Sequence, residues 1–417
     1  VQPVIYPLES HNIPIEKIDS DALYVMQKLR DAGFVAYLVG GGVRDLLLSK
    51  TPKDYDISTS AEPEQIKRLF RSCLLIGRRF RLAHIRFGQK IFEVSTFRSG
   101  NNEADTLILR DNEWGTAEED VMRRDFTING LYYDSSNQTV IDHVGGFLDL
   151  EKKLLRTIGQ PFLRFKQDPV RMLRLLKFRA RFGFEIDHDA HIALLETRHE
   201  IIKSSPARIL EEILRMLESG VSRSFFQLLS DYGLLQLILP EVASFLETKE
   251  GEDIYNYLNE VDTNCYHVNM PPVDRAILLC CFVFPMFEKR IKTRYLDREK
   301  MPHLGEIQDE AHDVVHEIFK SFLQIPRKLR MEVVSILSCQ YRLTPLDPKK
   351  LKNLRIPNDP NFFLALQFLE IRSFLEPGLL KIWEEWQNIL DTPTKPSKRK
   401  RKRKKSATHS SKKESKS

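Results

Sequence analysis

The sequence predicts an α+β protein: a small mixed-sheet domain first, an all-helical region after it, and a disordered basic tail. Three observations carry that expectation. Over the first 150 residues, short apolar runs alternate with helical stripes, the order of a mixed α/β layer. From about residue 165 helical stripes dominate and strand-like runs are scarce. From Lys395 onward the chain is lysine, arginine and serine with almost no apolar side chain, too little to bury against a core.

The elements follow in order. Ala22, Val25, Met26 and Leu29 fall at i, i+3, i+4 and i+7, one apolar stripe of a helix, and Gly33 sits where its stop belongs. Residues 34–39 are a short apolar run that reads as a buried strand. Gly40, Gly41 and Gly42 break it, and residues 43–48 read as helical. A second strand is expected at 54–59, then a helix through Ile66 and Phe70, then a strand at 91–97. Thr116 with Glu119 three residues on reads as a capping box. Asp168 before Pro169 reads as an N-cap with proline at the first helical position. Trp383, Trp386 and Leu390 recur at i, i+3 and i+7 and read as core, not as a stacking platform. A helical bundle or array of helix pairs is expected over 165–392, without a fixed-period repeat.

Composition narrows the classes. The chain has 417 residues, which suggests two to four domains, and its 42% apolar content is enough for a sizeable core. No stretch approaches the ~18 consecutive apolar residues of a membrane span. The longest candidate, residues 276–287, is short and contains Pro285. No basic-then-apolar leader is read at the start, so secretion is not expected. The cysteines Cys73, Cys265, Cys280, Cys281 and Cys339 are odd in number and show no C-x-x-C spacing, which argues against a disulfide framework or a zinc ribbon. Cys265 and His267 alone make a poor ligand set. A reducing cytoplasm is the expected compartment. Of the net charge of +6, residues 395–417 supply twelve Lys or Arg against Glu414 alone, a net +11 that leaves −5 on the rest. The eight consecutive basic residues 398–405 are read as a contact for a polyanion, with a solubility tail as the plain alternative.

Four groups of residues carry chemistry. After a strand, the glycines 40–42 let backbone N–H groups approach a phosphate, and Arg44, one turn on, can reach a triphosphate oxygen. A tight turn alone also explains a glycine triplet. Asp54 and Asp56, two apart in an expected strand, point to one face. Two close carboxylates suit Mg²⁺, and Glu93 in the next strand is a third. Three such groups could hold two ions, one activating an attacking hydroxyl and one steadying a departing pyrophosphate. The alternatives are an exposed loop pair for the aspartates and a surface position for Glu93. Arg171, Arg174 and Lys177 recur every third residue as a basic stripe on one helix face. Arg78, Arg79, Arg81, His84 and Arg86 crowd around Phe80 and Phe87. That patch reads either as a guide for RNA or triphosphate or as an exposed charged strand.

The sequence Gly-Gly-Gly-Val-Arg-Asp45 followed by Asp54-x-Asp56, then Arg123-Arg-Asp-Phe-Thr-Ile-Asn129, then Asp168-Pro-Val-Arg171-Met-Leu-Arg174 resembles the class II nucleotidyltransferases, the bacterial poly(A) polymerases and tRNA CCA-adding enzymes. His11-Asn-Ile13, residues 77–84, residues 109–112 and the basic tail look closer to the poly(A) polymerases. The resemblance implies a nucleotidyltransferase head over 15–150, a helical neck with the nucleotide-selecting helix over 151–220, a helical body and leg with an RNA-binding region over 221–392, and the tail over 393–417. It implies transfer of AMP from ATP to RNA 3′ ends with Mg²⁺ as cofactor, by a protein expected to be a monomer. Asp54, Asp56 and Asp125 would be catalytic, and Asp54, Asp56 and Glu93 would hold metal. Gly41, Arg44, Arg124, Asp168, Arg171 and Arg174 would bind the nucleotide. A carboxylate and a guanidinium suit the amino donor and ring-nitrogen acceptor of adenine, yet cytosine presents the same pair. Gln167 stands where the family commonly has Glu. CCA addition to tRNA and an inactive RNA-binding protein are the competing readings.

Overall fold

The computed structural model describes residues 2–77, 82–99, 113–264, 272–320, 322–347, 349 and 354–391. Arg78, Arg79, Phe80, Arg81, residues 109–112, Cys265, His267 and the tail from Lys395 lie outside the described residues.

The first part of the chain builds an eight-stranded mixed sheet from β1 (Val4–Tyr6), β2 (Ala36–Val39), β3 (Asp56–Thr59), β4 (Cys73–Ile76), β5 (Leu82–Phe87), β6 (Lys90–Thr96), β9 (Leu131–Asp134) and β10 (Thr139–Asp142). The order is β1-β10-β9-β2-β3-β6-β5-β4. Among the described neighbours in this sheet, β3 and β6 alone pair in parallel, with Ile57 opposite Val94. The short β7 (Arg98–Ser99) and β8 (Glu113–Trp114) pair separately, as do β11 (Leu154–Leu155) and β12 (Glu185–Ile186). The sheet takes in β1, ahead of the expected start of the head at residue 15. A three-residue segment carries too little pattern to be read alone.

Helix α1 (Leu8–His11) is a single turn, and α2 (Ser20–Asp31) carries the stripe read from the sequence. The Asp19 side chain caps the start of α2 by accepting from the Asp21 N–H at 2.8 Å. At its end the Phe34 N–H reaches back to the Leu29 carbonyl across Gly33, whose φ of 87° only glycine adopts freely. Ala22, Val25, Met26 and Leu29 are all buried. They join Ile66 and Phe70, at the end of α4 (Pro63–Leu69), and the inward residues Ala36, Leu38, Ile57, Ala83, Ile85, Phe92 and Val94 of the sheet in one core. One face of the sheet is thereby covered, and alternate residues stand on the other face.

The strand expected at 54–59 begins at Asp56. Its partner β2 pairs four residues with four, Ala36 opposite Thr59 through Val39 opposite Asp56. Beyond Val39 the chain turns at Gly40 into α3 (Gly41–Leu47), so Asp54 and Tyr55 have no β2 residue to pair with. Asp54 thus reaches the site from a loop, and the side-by-side strand geometry expected for the two aspartates is replaced by a loop–strand junction.

Helices α5 (Ala117–Met122), α6 (Gly146–Glu151), α7 (Pro161–Gln167), α8 (Val170–Phe182), α9 (His188–Thr197) and α10 (Pro206–Leu217) lead out of the sheet into an all-helical region. Its central helix, Arg275–Arg294, is buried along most of its first half and passes through Pro285. The helix Leu380–Asp391 closes the described chain. There Trp386 is buried and its indole N–H donates to the Leu343 carbonyl at 3.0 Å, while Trp383 packs half-buried on the same core. Both tryptophans are core, as their spacing suggested. Among the described residues no helix is long and apolar enough to cross a membrane, and none of the four described cysteines is in a disulfide.

Candidate active site

The turn from β2 into α3 brings backbone close to side chains. Gly40 has φ 68° and ψ −127°, a region open to glycine, and a Cβ there would lie 3.4 Å from Arg124 Nη1. At Gly42 a Cβ would lie 3.4 Å from the Asp54 carbonyl oxygen, so the turn and the aspartate loop are packed against each other. Gly41 opens α3 beside the Arg44 guanidinium. Arg44 itself points inward. Its Nε and Nη2 donate to Asp45 Oδ1 at 2.9 and 2.7 Å, its Nη1 donates to Asn129 Oδ1 at 2.6 Å, and Phe182 lies under the guanidinium. As found, it braces the glycine turn from below.

Asp56 stands at the start of β3, one strand from Glu93 on β6. Its carboxyl is pushed up to about 6, first by the loss of water around it, then by the charges of Glu93 and Asp54, against a smaller opposing pull from Arg124. The residue still presents surface to solvent, so it sits in an open cleft walled by protein atoms rather than in the core. Glu93 is half exposed and its Oε1 lies 3.4 Å from His84 Nε2. Among the described residues, no three His, Cys, Asp or Glu side chains are drawn together closely enough to hold a metal ion. The donor set nevertheless fits a hard divalent cation: two aspartates with a third carboxylate nearby, and a cost of ionising Asp56 that a cation would offset.

Beside the carboxylates lies a cluster of arginines. The capping box forms as read: Thr116 Oγ1 accepts from the Glu119 N–H, and the Glu119 carboxylate accepts from the Thr116 N–H. The helix it starts, α5, leads into Arg123 and Arg124. Arg124 Nη2 donates to Asp120 Oδ2 at 2.9 Å and to Ser58 Oγ at 3.2 Å, which ties α5 to the face of β3 that carries Asp56. Tyr132 donates its hydroxyl to the same Asp120 oxygen at 2.9 Å. Asp125 is buried: its Oδ1 accepts from the Phe126 N–H and from Asn129 Nδ2, and its Oδ2 pairs with Arg174 Nη2 at 2.8 Å. Burial alone would raise its carboxyl, but Arg174 and the two hydrogen bonds hold it below the usual aspartate range. Asp125 therefore links the Arg-Arg-Asp segment to α8 and does not join Asp54 and Asp56.

The neck supplies the rest. Arg164, which the sequence reading passed over, shares its Nη2 among the carbonyls of Met122, Arg123 and Arg124 at 3.3, 2.9 and 2.7 Å, and its Nη1 donates to Gln167 Oε1 at 3.3 Å. Gln167 thus still engages an arginine, through a neutral acceptor. Arg171 is turned to the carbonyls of Arg164 and Arg123 at 3.2 and 3.1 Å. Crowding is electrostatic as well as steric: Arg123 is pushed down to about 10 by burial and by Arg98, Arg124 and Arg171, and Arg164 likewise to about 10, by burial and then Arg171.

Asp168 departs from its expected capping role. Helix α8 begins at Val170 with Pro169 as its N-cap, and no side chain caps it. The Asp168 backbone carbonyl accepts from the Arg171 N–H, and its carboxylate turns away. Oδ2 pairs with Arg208 of α10 at 3.0 Å, and Oδ1 is buried without a hydrogen-bond partner. Arg208 is a second residue the sequence reading missed; it lies forty residues away and its partner is set only by the packing of α10.

Three family models match the chain: Poly A polymerase head domain over residues 36–156, Probable RNA and SrmB-binding site of polymerase A over 183–246, and Polymerase A arginine-rich C-terminus over 299–417. Poly(A) polymerase I of Escherichia coli is 36% identical over 439 residues, covering 97% of this chain and 93% of the relative. Poly(A) polymerase I of Haemophilus influenzae is 35% identical over 386 residues, covering 88% and 84%. A CCA-adding enzyme of Lactobacillus johnsonii is 34% identical over 256 residues, covering 60% and 62%. Among solved structures, the Bacillus stearothermophilus CCA-adding enzyme in complex with CTP superposes with a TM-score of 0.62 over 90% of this chain and 82% of that one, at 22% identity, a likeness of fold.

Proposed function

The chain belongs to the bacterial poly(A) polymerase family, enzymes that adenylate RNA, and from that premise we propose that it transfers AMP from ATP to RNA 3′ ends with Mg²⁺, releasing pyrophosphate. The observation that carries the nucleotide part is the buried arginine cluster. Arg124 lies against the glycine turn and beside Asp56, and behind it burial and neighbouring arginines depress Arg123 and Arg164. A triphosphate entering there relieves that repulsion, and the cluster is worth most in a site that excludes water.

The roles then divide by position. Asp54 and Asp56 would hold Mg²⁺, with Glu93 beside them. The bound ion would supply charge neutralisation at the attacking and departing oxygens. The backbone at Gly41 and the Arg124 guanidinium receive the triphosphate, and Arg44 keeps the turn in shape. Asp125 with Arg174 positions Arg124 and the start of α8. Asp168 presents Oδ1 to the adenine amino group, because that oxygen is buried and otherwise unanswered. Arg171 donates to the ring nitrogen once it leaves the carbonyls it now serves. The head over 15–150, extended by β1, carries the chemistry, the neck over 151–220 reads the base, the body over 221–392 binds RNA, and the tail over 393–417 adds attraction for the RNA backbone.

CCA addition to tRNA is the second reading, favoured by the Lactobacillus relatives and by the shared hydrogen-bonding edge of adenine and cytosine. Primer extension with ATP or CTP offered separately, on an unstructured RNA and on a tRNA lacking its 3′ end, separates the two. Long ladders with ATP on the unstructured RNA are expected. Stopping after C, C and A on the tRNA alone would overturn the assignment. In the same assay Asp168→Asn loses roughly 10- to 100-fold in kcat/KM for ATP, the value of a hydrogen bond to a charged acceptor. Unchanged kcat/KM in that variant would remove Asp168 from the base.

A further inference from the structure

We propose that the open face of the head sheet, from Glu93 outward to Leu74, seats the acceptor RNA nucleotides that precede the 3′ end. The inference rests on the function proposed above and locates the acceptor on the side of the carboxylates away from the arginine cluster.

The strand registers set out the path. Asp56 extends the β3–β6 pairing to lie beside Glu93, His84 lies opposite Glu93 on β5, and Leu74 lies opposite His84 on β4. One row of side chains therefore runs from Asp56 across three strand gaps to the edge of the sheet. Arg86 opposite Ile91, and Ile76 opposite Leu82, flank that row. At ~4.8 Å per strand, Leu74 stands ~14 Å from Asp56, the length of about four stacked nucleotides at ~3.4 Å each.

The surface of this path differs from an ordinary solvated face. Leu74 is 62% exposed, Ile91 48% and Ile76 40%, three large aliphatic side chains on one side of a sheet whose opposite side is core. With Arg71, His84 and Arg86 they line a groove of about 390 Å³. Arg71 and Arg86 are exposed and have no acidic partner among the described residues. The pairing of apolar surface for base faces with cations for phosphates is what a single strand of any sequence requires. The occupant follows from continuity: the row ends at the carboxylates where a 3′-hydroxyl must arrive, and the groove has no carboxylate among its lining residues.

The test uses the full chain carrying Leu74→Asp or Ile76→Asp, both on exposed positions of an edge strand. For a long oligoadenylate acceptor, KM is expected to rise about tenfold, the loss of one base contact, with KM for ATP unchanged. A dinucleotide acceptor ends short of Leu74, so the variants extend it as the unaltered protein does. In a second measurement, photocrosslinking of RNA with 4-thiouridine three or four nucleotides from the 3′ end is expected to label the segment around β4 and β5. This readout needs no turnover, so it reports the site even if the enzyme proves to act on a different acceptor. Unchanged KM for the long acceptor, an equal loss with the dinucleotide, or labelling confined to the helical region would each overturn the proposal.

Discussion

Asp56→Asn lowers nucleotide incorporation by ~10³-fold or more and leaves RNA affinity unchanged, and without Mg²⁺ it does not destabilise the fold. The first expectation follows from the loss of a ligand charge worth several kcal/mol to the transition state, at about 1.4 kcal/mol per tenfold. The second follows from the sign of the Asp56 shift. Its carboxyl is raised to about 6, so ionising it costs the folded state, and that cost grows as pH rises from about 4 to 6 and remains above it. Asparagine removes the cost. The variant therefore unfolds at the same or a higher temperature than the unaltered protein in EDTA at neutral pH, and the difference vanishes below pH 4. Primer extension and thermal unfolding across pH measure both halves. Retained turnover, or a variant less stable at neutral pH, defeats the assignment. A site whose removal stabilises the molecule is one whose geometry serves chemistry rather than folding.

Arg174→Met has the opposite profile. It leaves the buried Asp125 carboxylate with hydrogen bonds but without its ion-pair partner, and costs roughly 3 kcal/mol, the lower end for breaking a buried pair because Arg174 is itself partly exposed. Here too the pH dependence carries the proof. In the unaltered protein Asp125 is held below the usual aspartate range, so its contribution is present above about pH 4 and lost as pH falls through the lowered value. Without Arg174 the largest influence opposing burial is gone and the carboxyl rises. The deficit of the variant is then largest at neutral pH and shrinks as pH falls and protonation relieves it. Urea unfolding at several pH values checks this; a deficit independent of pH would mean that Arg174 acts by packing alone. Incorporation falls as well, because Asp125 holds the segment that presents Arg124.

Much of the head was legible in the sequence because its signals are local. The stripe Ala22, Val25, Met26 and Leu29, the Gly33 stop, the capping box at Thr116 and the break at Gly40 each depend on residues within one or two turns. The strands were placed but their ends were not: β3 begins at Asp56 because β2 stops at Val39, a fact of pairing. The site followed the same division. Asp56 and Arg124 were read from their motifs and Glu93 from its place in an expected strand, and the structure brings them near one another. Arg164 and Arg208 were invisible because their partners are forty residues away and one set consists of backbone carbonyls. Asp168 was read as a cap because Asp-Pro at a helix start commonly is one, whereas the i+3 turn at Arg171 frees its carboxylate. Arg44 was read as facing a phosphate because the sequence does not reveal that Asp45 and Asn129 compete for it.

The pairing of β1 with β10 fixes an order of events at the ribosome. Val4 lies opposite Asp142 at the margin of the sheet, and β10 lies between β1 and β9. At ~5–20 residues per second, Asp142 is joined to the chain roughly 7–30 s after Val4. The inner strands and α2 can assemble during that interval, but β1 has nothing to dock on until the hairpin of β9 and β10 is complete. Of the eight strands of this sheet, the first made is thus the last to be seated, and the nascent head stays open along one margin until that hairpin emerges.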